Sequence, residues 1–349
     1  MKKYQIKEIK ESLNHAGSKA VEDVAIFAEQ NNYKPLTIKT RTTKNKHIYK
    51  FINQIGYLLD WIKVFLNVEK KSIVFLQNPY RKRNFGREFI ILAMKKFKRC
   101  KFISIIHDIE ELRGIQFSNY YKKEFNYMIN NSDCLIVHNN KMKEYIISKG
   151  YNSNKIVELG IFDYNVACRR ENIQLEKSIA IAGNLDIKKS GYIYKLNLLP
   201  INFKINLFGP NFIIDEFKNK NINYHGSFKA EEVPGKLQGS FGLVWDGEDL
   251  DDCTGETGAY LKYNNPHKTS LYLAAGLPII VWKKSAMASF VQNEGIGLCV
   301  NSLEEISNIF EEITENEYNE MIKKTNILSE RLKNGYYTKL ALNRAENII

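Results

Sequence analysis

At 349 residues the chain is long for a single hydrophobic core and suits two domains of about 160 to 180 residues each. With 44% hydrophobic and 26% charged residues it reads as globular, which excludes a disordered or fibrous chain, and no apolar run is long enough to span a membrane. A net charge of +12 favours anionic partners: nucleic acid, phosphorylated small molecules or an anionic lipid surface.

The N-terminus, MKKYQIKEIKE, has no apolar core of the kind a signal peptide needs. Asn14-His15-Ala16-Gly17-Ser18 is a glycine-containing loop entering a helix predicted from Ser18 to Gln30. That loop is either ligand-facing or a simple cap. A short strand at Leu36 to Lys39 follows, then an apolar helix from Phe51 to Val68 interrupted by Asn53, Gln54, Asp60 and Lys63. Strands are predicted at Ser72 to Gln77, Phe102 to Ile106, Cys134 to Val137 and Ile156 to Leu159, with helices at Asn84 to Arg99, Asn119 to Asn130 and Lys141 to Ser148 between them. This alternation predicts a parallel sheet with helices on both faces.

Polar pairs close these strands: Gln77-Asn78, His107-Asp108 and His138-Asn139. In such sheets the carboxyl edge binds ligands, so His107 and Asp108 are candidates for a cleft. Asp108, with Glu110 and Glu111 behind it, suits a general base and equally suits a helix cap. From position 70 to 101 there are eleven Lys or Arg and one acid, Glu88, interleaved with Phe85, Phe89, Ile90 and Phe97. Three readings fit that segment: a membrane-facing patch, a nucleic-acid grip, or a solvated basic face.

Residues 161–177 lose periodicity and read as a linker between a first domain (1–160) and a second (178–334). The second half repeats the alternation. Strands are predicted at Ser178 to Ala182, Phe203 to Phe208, Ile222 to His225, Gly242 to Trp245 and Ile279 to Trp282. Helices are predicted at Ile193 to Leu199, Glu231 to Gln238 and from Pro266 to Ala275, with amphipathic helices closing the chain. The last of these (335–349) is read as crossing back to the first domain.

Three turns after these strands suit a phosphate: Gly183-Asn184 with Lys188 and Lys189 behind it, Gly209-Pro210-Asn211, and Asn264 to Lys268. In the third, Asn265, His267 and Lys268 stand at a helix start, where free amides and the positive end of the helix dipole meet an anion. Lys268 also fits a solvated lysine. Neither G-x-x-x-x-G-K-[ST] nor G-x-G-x-x-G occurs. Asp249-Leu250-Asp251 spells D-x-D inside an acidic run and reads as a solvated loop rather than a metal site. The five scattered cysteines (Cys100, Cys134, Cys168, Cys253, Cys299) form no C-x-x-C, which points to reduced thiols in a cytoplasmic chain and no zinc site.

IIHDIEELRG (105–114), LIVHNNKMKEYI (135–146), GIFDY (160–164), IAGNLDIKKSGYIY (181–194), LFGPN (207–211) and the block from Gly242 to Trp282 resemble bacterial β-1,6-galactofuranosyltransferases of O-antigen and capsule clusters. These belong with the streptococcal adhesin glucosyltransferases. The resemblance runs from about Ala16 to Gly297. It implies a GT-B fold, two Rossmann-like doubly wound domains facing across a cleft, with a UDP-sugar held mainly by the second domain and no obligate metal. It places Gly183, Asn184, Lys188 or Lys189, Asn265, His267 and Lys268 toward the donor, and the loop with Asn14 and Gly17, together with His107-Asp108, on the acceptor side; from the strand-end reading above, Gly209 joins the donor set and Asp108 is the candidate base. The implied partners are a glycan or lipid-linked acceptor and an anionic membrane surface, in a cytoplasmic or peripheral protein, with homo-oligomerisation left open and no nucleic acid. The seven-residue-spaced glutamate pair of retaining GT-B families is missing. A non-catalytic partner subunit and a nucleic-acid-binding protein are the competing classes.

Overall fold

The computed structural model describes residues 1–9, 16–41, 47–114, 118–167, 174–214 and 219–349, with the side chains of 16–18 and 47–50 outside the description. The first half forms a parallel six-stranded sheet: β1 (Lys3–Ile9), β2 (Lys34–Lys39), β3 (Ile73–Asn78), β4 (Lys101–Ile106), β5 (Cys134–Val137) and β6 (Ile156–Glu158), in spatial order β2-β1-β3-β4-β5-β6. Its helices are α1 (Ala16–Gln30), α2 (His47–Asn67), α3 (Arg87–Lys98), α4 (Glu110–Arg113), α5 (Asn119–Asn131) and α6 (Asn140–Ser148).

The second half mirrors it with β7 (Ser178–Ala182), β8 (Lys204–Phe208), β9 (Ile222–Tyr224), β10 (Phe241–Val244), β11 (Ile279–Trp282) and β12 (Gly297–Val300), ordered β12-β11-β10-β7-β8-β9 and again parallel. Its helices are α7 (Ile187–Leu196), α8 (Val233–Lys236), α9 (Gly255–Tyr260), α10 (His267–Ala274), α11 (Ala288–Glu294), α12 (Glu305–Glu312), α13 (Glu315–Lys333) and α14 (Tyr336–Glu346). Continuous runs such as Ile-Val-Phe-Leu and Ile-Ile-Val-Trp are buried on both faces, as parallel strands between helix layers must be.

Sequence patterning overlooked some elements. β1 pairs with both β2 and β3, yet its Lys3, Gln5 and Lys7 hide the strand. Gln5 is tolerated inside because its amide donates to Ala25 O at 2.9 Å and Tyr33 O at 3.3 Å. α9 sits within the acidic loop, and α11 and β12 fill a segment in which no element is predicted.

The linker also differs from expectation. Ile161, Phe162, Asp163 and Tyr164 are buried, because this stretch is the seam where the halves meet. Asp163 accepts hydrogen bonds from the amides of Tyr337 (3.2 Å) and Thr338 (2.6 Å), capping α14. α14 packs on α1, β5 and β6 of the first half, where Tyr33 donates to Glu346 at 2.9 Å. One apolar cluster, including Phe75, Ile105, Phe162, Leu271 and Ala341, runs through both halves.

Candidate active site

Each sheet reverses its strand order once, between β1 and β3 and between β7 and β10. Ligands of such sheets bind outside the carboxyl ends of the strands at the reversal. In the second half the chain leaves β7 into Gly183 and β10 into Trp245-Asp246. Gly183 has φ 135° and open space where a side chain would stand. Gly209, at φ 147°, touches the same turn: a Cβ there would fall 1.7 Å from Gly183 O. The two glycines therefore let the backbones after β7 and β8 meet, with open space beside Gly183.

Asn184 is exposed and shapes this turn, its Oδ1 accepting from Asp186 N at 3.1 Å and Asn211 Nδ2 at 2.8 Å. Asp186 caps α7 by accepting from the Lys188 amide at 3.0 Å. Lys188 points to the exposed side, whereas Lys189 is half-buried. Non-helical backbone at Ser190 and a Gly247 N to Lys189 O bond of 2.9 Å tie the helix opening to the loop after β10.

Opposite stands the start of α10, whose N-cap is Pro266 and which no side chain caps. Lys268 Nζ donates to Trp245 O at 3.0 Å and to Asp246 Oδ1 at 2.7 Å. Burial pushes the Lys268 ammonium down, and the Asp246 carboxylate opposes that. Lys189 repels it as well, so the two lysines share one field.

His107, His138 and His267 surround Phe162. His107 stacks on the ring at 5.4 Å, and His138 and His267 meet it edge-on at 4.8 and 6.3 Å. Burial, first in each case, pushes them down to about 3, about 4 and about 3 respectively. All three are neutral at neutral pH. His267 therefore brings no charge to a diphosphate, which narrows the role the sequence suggests for it. It stacks on Tyr164 at 4.9 Å and hydrogen-bonds the Asp163 backbone, and its buried Nε2 has no partner among the described residues. That leaves Nε2 as an acceptor suited to a hydroxyl.

Asn265 is placed differently from a donor ligand. It is 3% exposed, and its amide donates to His138 O (2.9 Å) and Gly160 O (2.7 Å) while its Oδ1 accepts from Asn139 Nδ2 (2.6 Å). Its backbone N–H donates to His138 Nδ1 at 3.0 Å, and His138 Nε2 in turn donates to Ile106 O at 2.9 Å. The side chain straps α10 to the first half, its polar atoms already engaged.

On the first half, Asp108 follows β4 with its Oδ2 3.1 Å from Arg113 and 3.6 Å from Arg81. Burial raises its carboxyl above the usual range, against the pull of Arg113, Arg81 and Lys189. Lys189 belongs to the other half, so the field at Asp108 has contributions from both halves. His107 Nε2 lies 2.7 Å from Gln77 Oε1. Asn14 lies outside the described residues, and Gly17 lies in the first turn of α1.

The D-x-D acids face apart. Asp249 pairs with Lys195 and accepts from Thr254 Oγ1 at 2.6 Å, and Asp251 accepts from Ser302 Oγ at 2.9 Å. Sequence reasoning missed Asp246, Arg81, Arg113 and Tyr260, whose hydroxyl accepts from Ile109 N at 2.9 Å across the cleft. Asp246 carried a signal, an acid at a strand's carboxyl end, that a turn pair with Gly247 masked.

Comparison with known proteins agrees with this architecture. Residues 3–161 match the glucosyltransferase 3-like N-terminal domain and 179–345 the corresponding C-terminal domain. A β-1,6-galactofuranosyltransferase of Escherichia coli K12, WbbI, is 30% identical over 96% of this chain and 95% of its own. Glucosyltransferase 3 of Streptococcus gordonii is 30% identical over 80% of each chain. Anabaena Alr3699/HepE, solved with UDP and glucose, superposes with a TM-score of 0.59 at 9% identity, covering 99% of this chain and 100% of that one. The fold is GT-B.

Proposed function

The chain belongs to the glucosyltransferase 3-like family of glycosyltransferases, and we propose that it moves a hexose from a UDP donor to a hydroxyl of a surface glycan or its lipid-linked precursor. Galactofuranose is the favoured sugar because the E. coli galactofuranosyltransferase aligns along nearly the whole chain, and glucose, the sugar named for the streptococcal relatives, comes next.

In this reading the diphosphate sits between the Gly183 turn and the start of α10, with Lys268 and Lys189 as its cations and Lys188, Asn184 and Gly209 at the rim. Binding competes with Asp246 for Lys268. The bond between the sugar's anomeric carbon and the diphosphate breaks as the acceptor oxygen bonds to that carbon, and the acceptor's proton passes to Asp108. UDP leaves with the bond's electrons, and stabilising that charge is the chief electrostatic task. His267 Nε2 accepts from a donor-sugar hydroxyl. Asn14, Gly17 and His107 belong to the acceptor side.

One observation supports the reading: α9 spans the halves, Tyr260 accepting from Ile109 N at 2.9 Å next to Asp108 while Gly258 lies against the backbone of Asp246, the partner of Lys268, and Lys189 O accepts from Gly247 N at 2.9 Å on the same loop. The test is UDP release from UDP-galactofuranose and UDP-glucose by wild type and Lys189→Ala. Release from either donor, cut at least about tenfold in the variant, supports it; release from neither, or equal rates, refutes it.

A further inference from the structure

A helix with one face in a core ordinarily shows water a polar face. α2 does not. Tyr57, Trp61 and Val64 point into the core, as does Val68 just past the end of the helix. On the opposite side Ile52, Ile55, Leu59, Ile62 and Leu66 recur every third or fourth residue, all exposed, with Leu66 at 72%. α3 repeats the pattern with Ile90, Ile91 and Met94 inward and Phe89 (72% exposed) and Leu92 outward. The inward residues of both helices share one cluster with Tyr4, Ile6, Val74 and Phe102, so both cover the same face of the first sheet. They also pack on each other. Their outward sides therefore form one apolar layer.

Cations surround it. Lys70 and Lys71 follow α2, Lys82 and Arg83 precede α3, and Lys96 and Arg99 lie at its end; all are exposed and none forms an ion pair among the described residues. Elsewhere on the surface, lysines such as Lys195 and Lys284 do find acids. We propose that the outer face of α2 and α3 docks on an anionic lipid bilayer, its aliphatic and aromatic side chains entering the acyl boundary while the ring of cations meets the headgroups. Charge decides against the alternatives. A second copy on this face would set like-charged rings against each other, and a nucleic acid has phosphates for the cations but no use for the aliphatic stripe.

The face is tied to the cleft. Arg81, 3.6 Å from Asp108, shares the β3–α3 loop with Lys82, Arg83 and the exposed Phe85. Docking holds the acceptor side of the cleft at the lipid surface, where a lipid-linked acceptor resides; that consequence, unlike the docking, rests on the glycosyltransferase reading.

The test is flotation of the full chain with phosphatidylcholine vesicles with and without phosphatidylglycerol, at low and high salt, beside Leu59→Asn/Leu66→Asn and Lys82→Glu/Arg83→Glu. Wild type should float with the anionic vesicles alone and lose binding in high salt. Each double variant should lose partition by about tenfold or more, with its mass by light scattering and its melting response to UDP unchanged. Three results overturn the proposal: no flotation with anionic vesicles, equal flotation of wild type and the apolar variant, or an apolar variant whose mass is half that of wild type. A chain that floats as described yet ignores UDP upholds the docking and counts against the donor reading.

Discussion

Replacing Asn265 with alanine separates two roles that position alone leaves entangled. The side chain makes three hydrogen bonds, to His138 O, Gly160 O and Asn139 Nδ2. Two of these partners keep another: His138 O accepts from Gly160 N at 3.0 Å, and Asn139 Nδ2 donates to Tyr263 O at 2.9 Å. At about 1 kcal/mol net per bond the loss is about 3 kcal/mol, and orphaning the half-buried Gly160 O adds about 1 kcal/mol. A change of that size lowers Tm by roughly 6 °C or more. The assay is a melt of ligand-free wild type and Asn265→Ala, followed by UDP titration of each. Ligand-free stability should fall clearly, with UDP still raising the variant's Tm. An unchanged ligand-free Tm combined with a lost UDP response would refute the strap and make Asn265 a direct ligand.

Gly183→Ala and Gly209→Ala should behave differently. The Gly209 variant clashes with Gly183 O and should melt several degrees lower, whereas the Gly183 variant has room, carries only its φ strain of about 1–3 kcal/mol, and should chiefly weaken UDP binding by placing a methyl group where the diphosphate is proposed to sit; melts and titrations distinguish them. His138 has its folded pKa at about 4, below its ordinary 6.5, so the stability of its neutral form is complete above 6.5 and is lost as pH falls toward 4. His138→Gln should therefore gain on wild type by about 1.4 kcal/mol per pH unit across that window, read by urea unfolding at each pH. Asp163, raised by burial to about 7, works the other way in wild type and variant alike, and because the His138 charge also lowers His107, the difference reads His138 together with its coupling to His107. Because lysines and a helix end carry the diphosphate in this account, EDTA should leave UDP release from the donor unchanged; a rate restored by added Mg²⁺ or Mn²⁺ would show a metal at work.

Much of the scaffold is written locally. Ile279–Trp282 and Cys134–Val137 are apolar runs between turn residues, and the structure forms strands over those residues. β1 was hidden because Gln5 and flanking lysines break the apolar pattern, and only tertiary partners accommodate them. Ile161 to Tyr164 read as linker since a polar stretch follows, while their burial depends on two halves closing over them. The site is legible to a similar depth. Strand ends and glycine turns mark where the cleft lies, but the gathering of His107, His138 and His267 around Phe162 joins positions far apart in the chain. Asn265 and Asp246 illustrate the limit: a helix start and a turn pair look alike in sequence whether their side chains face a ligand, a partner domain or a lysine.

In the proposed arrangement a UDP donor sits at the start of α10 with Lys268 on its diphosphate. This arrangement is tested most directly by following Tm against UDP concentration for wild type and Lys268→Ala, each referred to its own ligand-free melt because the variant leaves Asp246 without its cation. Wild type should be stabilised by about 2.7 kcal/mol at a hundredfold excess over Kd, a gain largely lost in the variant. Equal UDP stabilisation of both proteins, or none in wild type, would contradict it.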